Sequence, residues 1–203
     1  MKILNLAVLI SGSGRTLQNF IDLIAQGKLP ATIQVVISSK SGVAGLERAR
    51  EHNIPAFVVD RKQYKSKDEF SRDINDILKK YSPDLITLAG FLHLYVIPPE
   101  YHRKVLNIHP ALLPDFGGDG FYGDKVHQAV LDAGVKESGC TVHFADNTYD
   151  TGPIILQKRV PVLAGDTVHT LADRVFEAEK EAYPEAIRLF VEGKIKGQKQ
   201  AHS

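Results

Sequence analysis

The 203-residue chain has one cysteine, Cys140, so it carries no internal disulfide framework and no cysteine-rich metal site. Cys140 follows Gly139 and opens an apolar run, which reads as a small buried side chain. Surplus charge is missing as well. The 25 basic and 24 acidic side chains leave a formal net charge of +1, too little to hold a nucleic acid by bulk electrostatics. No long hydrophobic run is present. The stretch from Ile3 to Ile10 falls well short of the roughly 20 residues a membrane-spanning helix needs, and it enters a glycine-rich turn instead of a small-residue cleavage site. A soluble, cytoplasmic chain without a membrane partner is expected. His102, His109, His127, His143 and His169 are too scattered for a HExxH-type site, so no metal is expected either; zinc would require the strands of His109 and His143 to meet.

What is present is alternation. Apolar runs at 3–10, 32–38, 56–59 and 84–88 read as strands. Between them, 16–26, 43–52 and 67–81 show apolar residues at helical spacing: Leu17, Phe20, Ile21 and Ile24 in the first, Phe70, Ile74, Ile77 and Leu78 in the third. This order predicts an α/β fold, a Rossmann-like, mostly parallel twisted sheet flanked by helices. Beyond Gly90 the pattern changes. A short helix near 98–102, a strand at 105–108, a glycine-rich loop at 116–123 and a helix at 125–133 are expected. Two strands at 141–145 and 153–161 then form an antiparallel pair, a mixed C-terminal extension of the sheet. The last helix is expected over 166–192, capped by Asp166 and interrupted at Pro184. The chain reads as one domain, with a nucleotide-binding-like half over 1–100, a catalytic half over 101–192 and a polar tail over 193–203 that carries no function.

Two segments stand out chemically. In Leu106-Asn107-Ile108-His109-Pro110 the amide and the imidazole sit two residues apart at a strand end, so both point to one face. Such a pair can donate hydrogen bonds to an oxygen that gains negative charge. It also suits a turn cap. Pro110 and Pro114, which stiffen the exit from the strand, favour the chemical reading. So does Asp150 in the tight turn Asp150-Thr151-Gly152-Pro153, an acid able to orient the imidazole and raise its pKa. The motif contains no nucleophilic Ser or Cys, which suggests direct attack of a substrate amine on a carbonyl.

Earlier in the chain, Ser11-Gly12-Ser13-Gly14-Arg15-Thr16 joins the first strand to the first helix. Glycines there let backbone N–H groups approach an anion at a helix N-terminus. Leu17 stands where a dinucleotide fingerprint has its third glycine, and no Gly-Lys-Ser/Thr ending makes it a Walker loop. A phosphate monoester fits better, with a ligand-free turn as the competing reading. Leu88-Ala89-Gly90-Phe91-Leu92-His93-Leu94 ends another strand; Gly90 would admit a flat ligand and Leu92 and Leu94 would wall it, or the loop simply packs. The Glu177–Glu181 run reads as a solvated helix face.

These segments, with Leu46-Glu47-Arg48-Ala49 and Val142-His143-Phe144, occur in the order found in the folate-dependent phosphoribosylglycinamide formyltransferase family of purine biosynthesis, which the chain closely resembles over nearly its whole length. The resemblance implies a formyltransferase fold, 10-formyltetrahydrofolate as donor and glycinamide ribonucleotide as acceptor, both small molecules, in a monomer or homodimer. It implies Asn107, His109 and Asp150 as the catalytic triad, and Gly12, Ser13, Gly14, Arg15 and Thr16 as the phosphate cradle. It further implies Glu179 as an acceptor contact, which revises the solvated reading for that residue, and Leu92, His93, Leu94, Asn107 and Asp146 as folate contacts. Two departures mark this chain: His93 stands where many relatives carry Arg, and the glycine-rich 116–123 loop replaces a shorter Pro-Gly loop.

In the implied mechanism the neutral amine attacks the formyl carbon, and Asn107 and protonated His109 meet the oxyanion. Rivals share the central block. A formyltetrahydrofolate hydrolase resembles it but normally has a domain ahead of the catalytic one, whereas Met1 directly precedes the first strand. A methionyl-tRNA formyltransferase carries a C-terminal RNA-binding barrel, whereas a short tail follows Glu192. Sugar-amine formyltransferases are usually longer. A non-catalytic nucleotide-binding regulator would keep Gly12 and Gly14 without needing Asn107, His109 and Asp150 together.

Overall fold

The structure is a computed structural model that describes residues 3–195; Met1, Lys2 and the tail beyond Ile195 lie outside the described residues. Seven strands form one sheet in the order β3-β2-β1-β4-β5-β6-β7. The chain divides into two compact units, Met1–Leu106 and Asn107–Ser203.

In the first unit β1 (Leu4–Ile10) pairs in parallel with β2 (Ala31–Ser38) and β4 (Leu85–Leu88), and β3 (Ala56–Val58) extends β2 in parallel. Parallel strands covered on both faces lose the alternation of a half-exposed strand. Leu6 to Ile10 are accordingly all fully buried. The helices α1 (Arg15–Ala25), α2 (Ala44–Glu51) and α3 (Lys67–Tyr81) bury the predicted stripes, among them Leu17 and Phe20, Leu46 and Ala49, and Phe70, Ile74 and Leu78. Each buried Leu, Ile or Phe among them contributes about 1.5–3 kcal/mol. Ser66 starts α3 by accepting the Glu69 N–H at 3.1 Å. A 3-10 turn at Pro99–Tyr101 leads to β5 (Val105–His109).

In the second unit α4 (Asp124–Asp132) precedes the antiparallel pair β6 (Glu137–Phe144) and β7 (Ile154–Pro161), and α5 (Val168–Val191) packs on both strands. Three expectations need correction. β6 begins at Glu137 instead of Thr141: a Cβ on Gly139 would lie 2.0 Å from the Lys158 carbonyl oxygen of β7, so glycine is what lets the strands close. Asp166 is not the cap of α5. Thr167 is, in a reciprocal capping box with Thr170, while Asp166 forms a two-pronged pair with Arg174 at 2.6 and 2.9 Å. Finally, α5 runs unbroken through Pro184. Ala182, Tyr183, Pro184, Ala186 and Ile187 are all buried, and that packing outweighs the ~3 kcal/mol a mid-helix proline costs. No helix among the described residues is long and apolar enough to cross a membrane.

Candidate active site

The second unit gathers four polar side chains. β5 delivers Asn107 and His109, β6 delivers His143, and the turn before β7 delivers Asp150. Asn107 Nδ2 donates to Asp150 Oδ1 at 3.2 Å, and His109 Nδ1 lies 3.3 Å from Asp150 Oδ2. The three residues singled out from the sequence are therefore brought together. The side chains of His109 and Asp150 are nine-tenths or more buried. Asp150 sits at φ 56°, a left-handed conformation that a short acid tolerates. Its loop is organised by Asp146, whose carboxylate accepts from the Thr148 N–H at 2.9 Å and the Thr151 hydroxyl at 3.0 Å. Asp146 thus shapes the turn that presents Asp150.

His143 joins the cluster, which sequence reasoning missed beyond its possible meeting with His109. Its Nε2 lies 3.1 Å from Asn107 Nδ2 and 3.5 Å from Asp150 Oδ1. The glycine-rich loop joins as well. The Phe116 carbonyl accepts from His109 Nε2 at 2.8 Å, and the Gly118 N–H donates to Asp150 Oδ2 at 3.0 Å. Both contacts run through the backbone, so no side-chain signal announced them.

The electrostatics reverse one expectation. Burial pushes the His109 pKa below that of a free imidazole, and it outweighs the opposing pull of the Asp150 charge and the Phe116 carbonyl. Asp150 does raise His109, as expected, but the net direction is down: the resting imidazole is neutral, not charged. For Asp150, burial pushes the carboxyl up, while the His143 ring 3.5 Å away, the His109 ring and the Gly118 N–H together hold it below the usual carboxylate range. Since a carbonyl only accepts, His109 Nε2 carries the ring proton. Cys140 is buried, and burial with the nearby Glu179 charge pushes its thiol up to about 12, so it offers no thiolate.

In the first unit, α1 begins after Gly14, which adopts φ 69° and has no side chain with which to cap the helix; no acid occupies the first turn. The helix N-terminus therefore keeps its positive end for an anion. A Cβ on Gly14 would lie 2.6 Å from the Gly45 Cα, whereas one on Gly12 would meet nothing within 4 Å. Gly14 is glycine for packing; Gly12 faces open space. Ser13 and Arg15 are exposed and Thr16 is half-buried, and the Ser13 carbonyl accepts from Arg48 Nε at 2.9 Å. Ser11 links this loop to the next: its N–H donates to the Gly90 carbonyl at 3.1 Å, and its hydroxyl accepts from the Leu92 N–H at 2.9 Å. Leu92 is exposed and Leu94 half-buried. His93 packs edge-on against Phe70 and Phe91. Burial and the nearby Arg61 and Lys40 charges lower its pKa, so it is neutral.

Glu179 lies half-buried on α5, close enough to Cys140 to act on its thiol. Among the described residues no group of three or more His, Cys, Asp or Glu is arranged to hold a metal ion.

The sequence profile of the formyl transferase family matches residues 4–187. The chain is 44% identical over 192 residues to the trifunctional purine biosynthetic protein adenosine-3 of Bos taurus, covering 94% of this chain and 18% of that protein. It is 40% identical over 194 residues to phosphoribosylglycinamide formyltransferase, chloroplastic, of Vigna unguiculata, covering 94% and 62%. The chain thus spans less than two thirds of either of these relatives. Among solved structures, glycinamide ribonucleotide transformylase 1 from Symbiobacterium toebii is 43% identical with a TM-score of 0.88, covering 96% of this chain and 92% of that one. Phosphoribosylglycinamide formyltransferase from Brucella melitensis is 40% identical with a TM-score of 0.83, covering 93% and 96%. Since the profile and both solved relatives run nearly end to end, the chain belongs to the formyl transferase family, among the phosphoribosylglycinamide formyltransferases.

Proposed function

We propose that the chain transfers the formyl group of 10-formyltetrahydrofolate to the primary amine of glycinamide ribonucleotide, a one-carbon step of purine (IMP) biosynthesis. The observation that carries the mechanism is the convergence of half-buried Asn107 with the buried side chains of His109 and Asp150, an oxyanion-binding arrangement with no activated nucleophile of its own. The amine lone pair attacks the formyl carbon and a C–N bond forms while the carbonyl electrons move to oxygen. The His109 Nε2–H, released from Phe116, donates to that oxygen, and Asn107 joins it by turning one N–H from Asp150 to the substrate while the other stays on His143. The second ring nitrogen of His109 faces Asp150 at 3.3 Å, so charge growing on the substrate oxygen favours protonation there, beside the carboxylate. Asp150 relays the amine proton, directly or through water. As the oxyanion collapses, the bond to the folate nitrogen breaks, and that nitrogen takes the electron pair and a proton. No covalent enzyme intermediate forms.

In the same reading Gly12, Ser13, Gly14, Arg15 and Thr16 hold the acceptor's phosphate and Glu179 contacts the acceptor. Leu92, His93, Leu94, Asn107 and Asp146 line the folate site, with His93 as a neutral partner. The protein works in the cytoplasm as a monomer or homodimer on small molecules alone. The test is a steady-state assay of purified protein with 10-formyltetrahydrofolate, comparing glycinamide ribonucleotide, sugar amines and water as acceptors. Formyl transfer to glycinamide ribonucleotide far above the other two is expected; preferred transfer to water or to a sugar amine overturns the reading.

A further inference from the structure

We propose that His143 is a positioning residue for this site: its tautomer, locked by its own strand, fixes which way the Asn107 amide points. β6 buries its neighbours Cys140, Val142 and Phe144, and His143 is itself 1% exposed. An imidazole buried so completely is costly unless both nitrogens find partners. They do. Nδ1 lies 2.8 Å from the Phe144 carbonyl oxygen. A carbonyl accepts, so Nδ1 carries the hydrogen, and Nε2, with Asp150 Oδ1 farther off at 3.5 Å, is left to present a lone pair to the Asn107 amide. That lone pair accepts from Asn107 Nδ2 at 3.1 Å. The other neighbour of the same nitrogen, Asp150 Oδ1 at 3.2 Å, is also an acceptor. A flipped Asn107 amide would set its oxygen against a lone pair and a carboxylate together, so one orientation holds.

The lock has a cause in the sequence. A Cβ on Gly152 would lie 1.8 Å from the Phe144 oxygen, the atom that anchors His143. Glycine there leaves the carbonyl its place. The β6–β7 register also shifts between Val142 and His143, an irregularity of the kind that re-aims a strand side chain. The Asp150-Thr151-Gly152-Pro153 turn therefore serves twice: it presents Asp150, and through Gly152 it makes room for the carbonyl that sets the His143 tautomer.

The kinetic part of the test rests on the formyl-transfer reading; the spectroscopic part does not. In wild-type protein labelled with 15N-histidine, long-range 1H–15N spectra are expected to show His143 protonated at Nδ1 and bare at Nε2. The opposite tautomer overturns the proposal whatever any variant does. His143→Leu keeps bulk and loses the acceptor; His143→Gln restores an acceptor. In the Leu variant the Asn107 side-chain amide signals are expected to move to free-amide positions. kcat is expected to fall by about 10²-fold, the cost of misplacing a reacting group, with KM for glycinamide ribonucleotide little changed. The Gln variant is expected to recover much of both. Unchanged Asn107 signals with near-normal kcat in His143→Leu overturn the proposal. If glycinamide ribonucleotide is not the acceptor, the kinetic arm falls with that reading, and the tautomer and amide signals still decide the role of His143.

Discussion

The Phe116 carbonyl oxygen sits 2.8 Å from His109 Nε2, on the ring nitrogen that the proposed chemistry turns toward the substrate. Two residues on, the Gly118 N–H holds Asp150 Oδ2 at 3.0 Å. The start of the glycine-rich loop is thus latched onto two of the three catalytic candidates. With Asp150 beside the other ring nitrogen, His109 keeps no free edge, so a substrate oxygen must displace Phe116.

Gly118→Ala tests the latch. Gly118 adopts φ 97° with nothing within 4 Å of a built Cβ, so alanine meets no clash but a strained backbone of about 1–3 kcal/mol. That strain loads onto the latched state and raises the fraction of His109 free for substrate. kcat/KM for 10-formyltetrahydrofolate is expected to rise, by about fivefold for each kcal/mol. A fall instead would show that the Gly118 N–H belongs to the working geometry.

Acid should weaken the fold through its histidines. Burial lowers the pKa of His93, His109 and His127 below the ordinary 6.5. The unfolded chain then binds protons that the native chain refuses, so stability present above about pH 6.5 is lost as pH falls from there through the folded values. Asp150, held below the usual carboxylate range, adds a loss of the same sign at lower pH. His127 is the clearest case: it is 5% exposed, and its Nδ1 has no hydrogen-bond partner among the described residues. His127→Leu should raise stability at pH 7 by about 1 kcal/mol, the lower end of the cost of a buried unsatisfied group, and should flatten the decline of Tm between pH 7 and 5. A steeper decline would contradict this account.

The first unit was largely legible because buried parallel strands and amphipathic helices write their periods directly into Leu4–Ile10, Ala31–Ser38 and the Phe70, Ile74, Leu78 stripe. Asn107, His109 and Asp150 were legible because side chains carry their chemistry. What stayed hidden depends on tertiary contact. The start of β6 at Glu137 stayed hidden because the close partner of Gly139, the Lys158 carbonyl, is far along the chain. Thr167 took the cap from Asp166 because Arg174, two helical turns away, claims that carboxylate. The sign at His109 was misjudged because desolvation depends on burial, which an acidic neighbour in the sequence does not reveal.

Gly12→Val addresses the phosphate cradle. A Cβ at Gly12 meets nothing within 4 Å, so the fold should accept the larger side chain with Tm nearly unchanged, while its methyl groups fill space proposed for the ligand. KM for glycinamide ribonucleotide is expected to rise. KM for 10-formyltetrahydrofolate should move much less, because the phosphate belongs to the acceptor. An unchanged acceptor KM would place the phosphate elsewhere.

Replacing His109 separates chemistry from binding. Its proposed work is to stabilise charge that exists only in the transition state, so the loss should fall on kcat and spare the Kd of both substrates. Removing one oxyanion donor lowers kcat by about 10²–10³-fold. His109→Asn should reach or exceed that range, because it also removes the group able to take up charge beside Asp150 at 3.3 Å. Asp150→Asn acts one step back. It removes the negative charge that opposes burial at His109, so the His109 pKa should fall further below its already lowered value, and kcat should fall with it. A histidine NMR titration of the Asp150→Asn variant reads the first effect, and single-turnover kinetics across pH reads the second. Were the His109 titration to move upward, the Asp150 charge would not be what opposes burial at His109. If His109→Asn kept near-normal kcat and lost affinity for the folate, His109 would be a binding residue and the oxyanion role would pass to Asn107 alone.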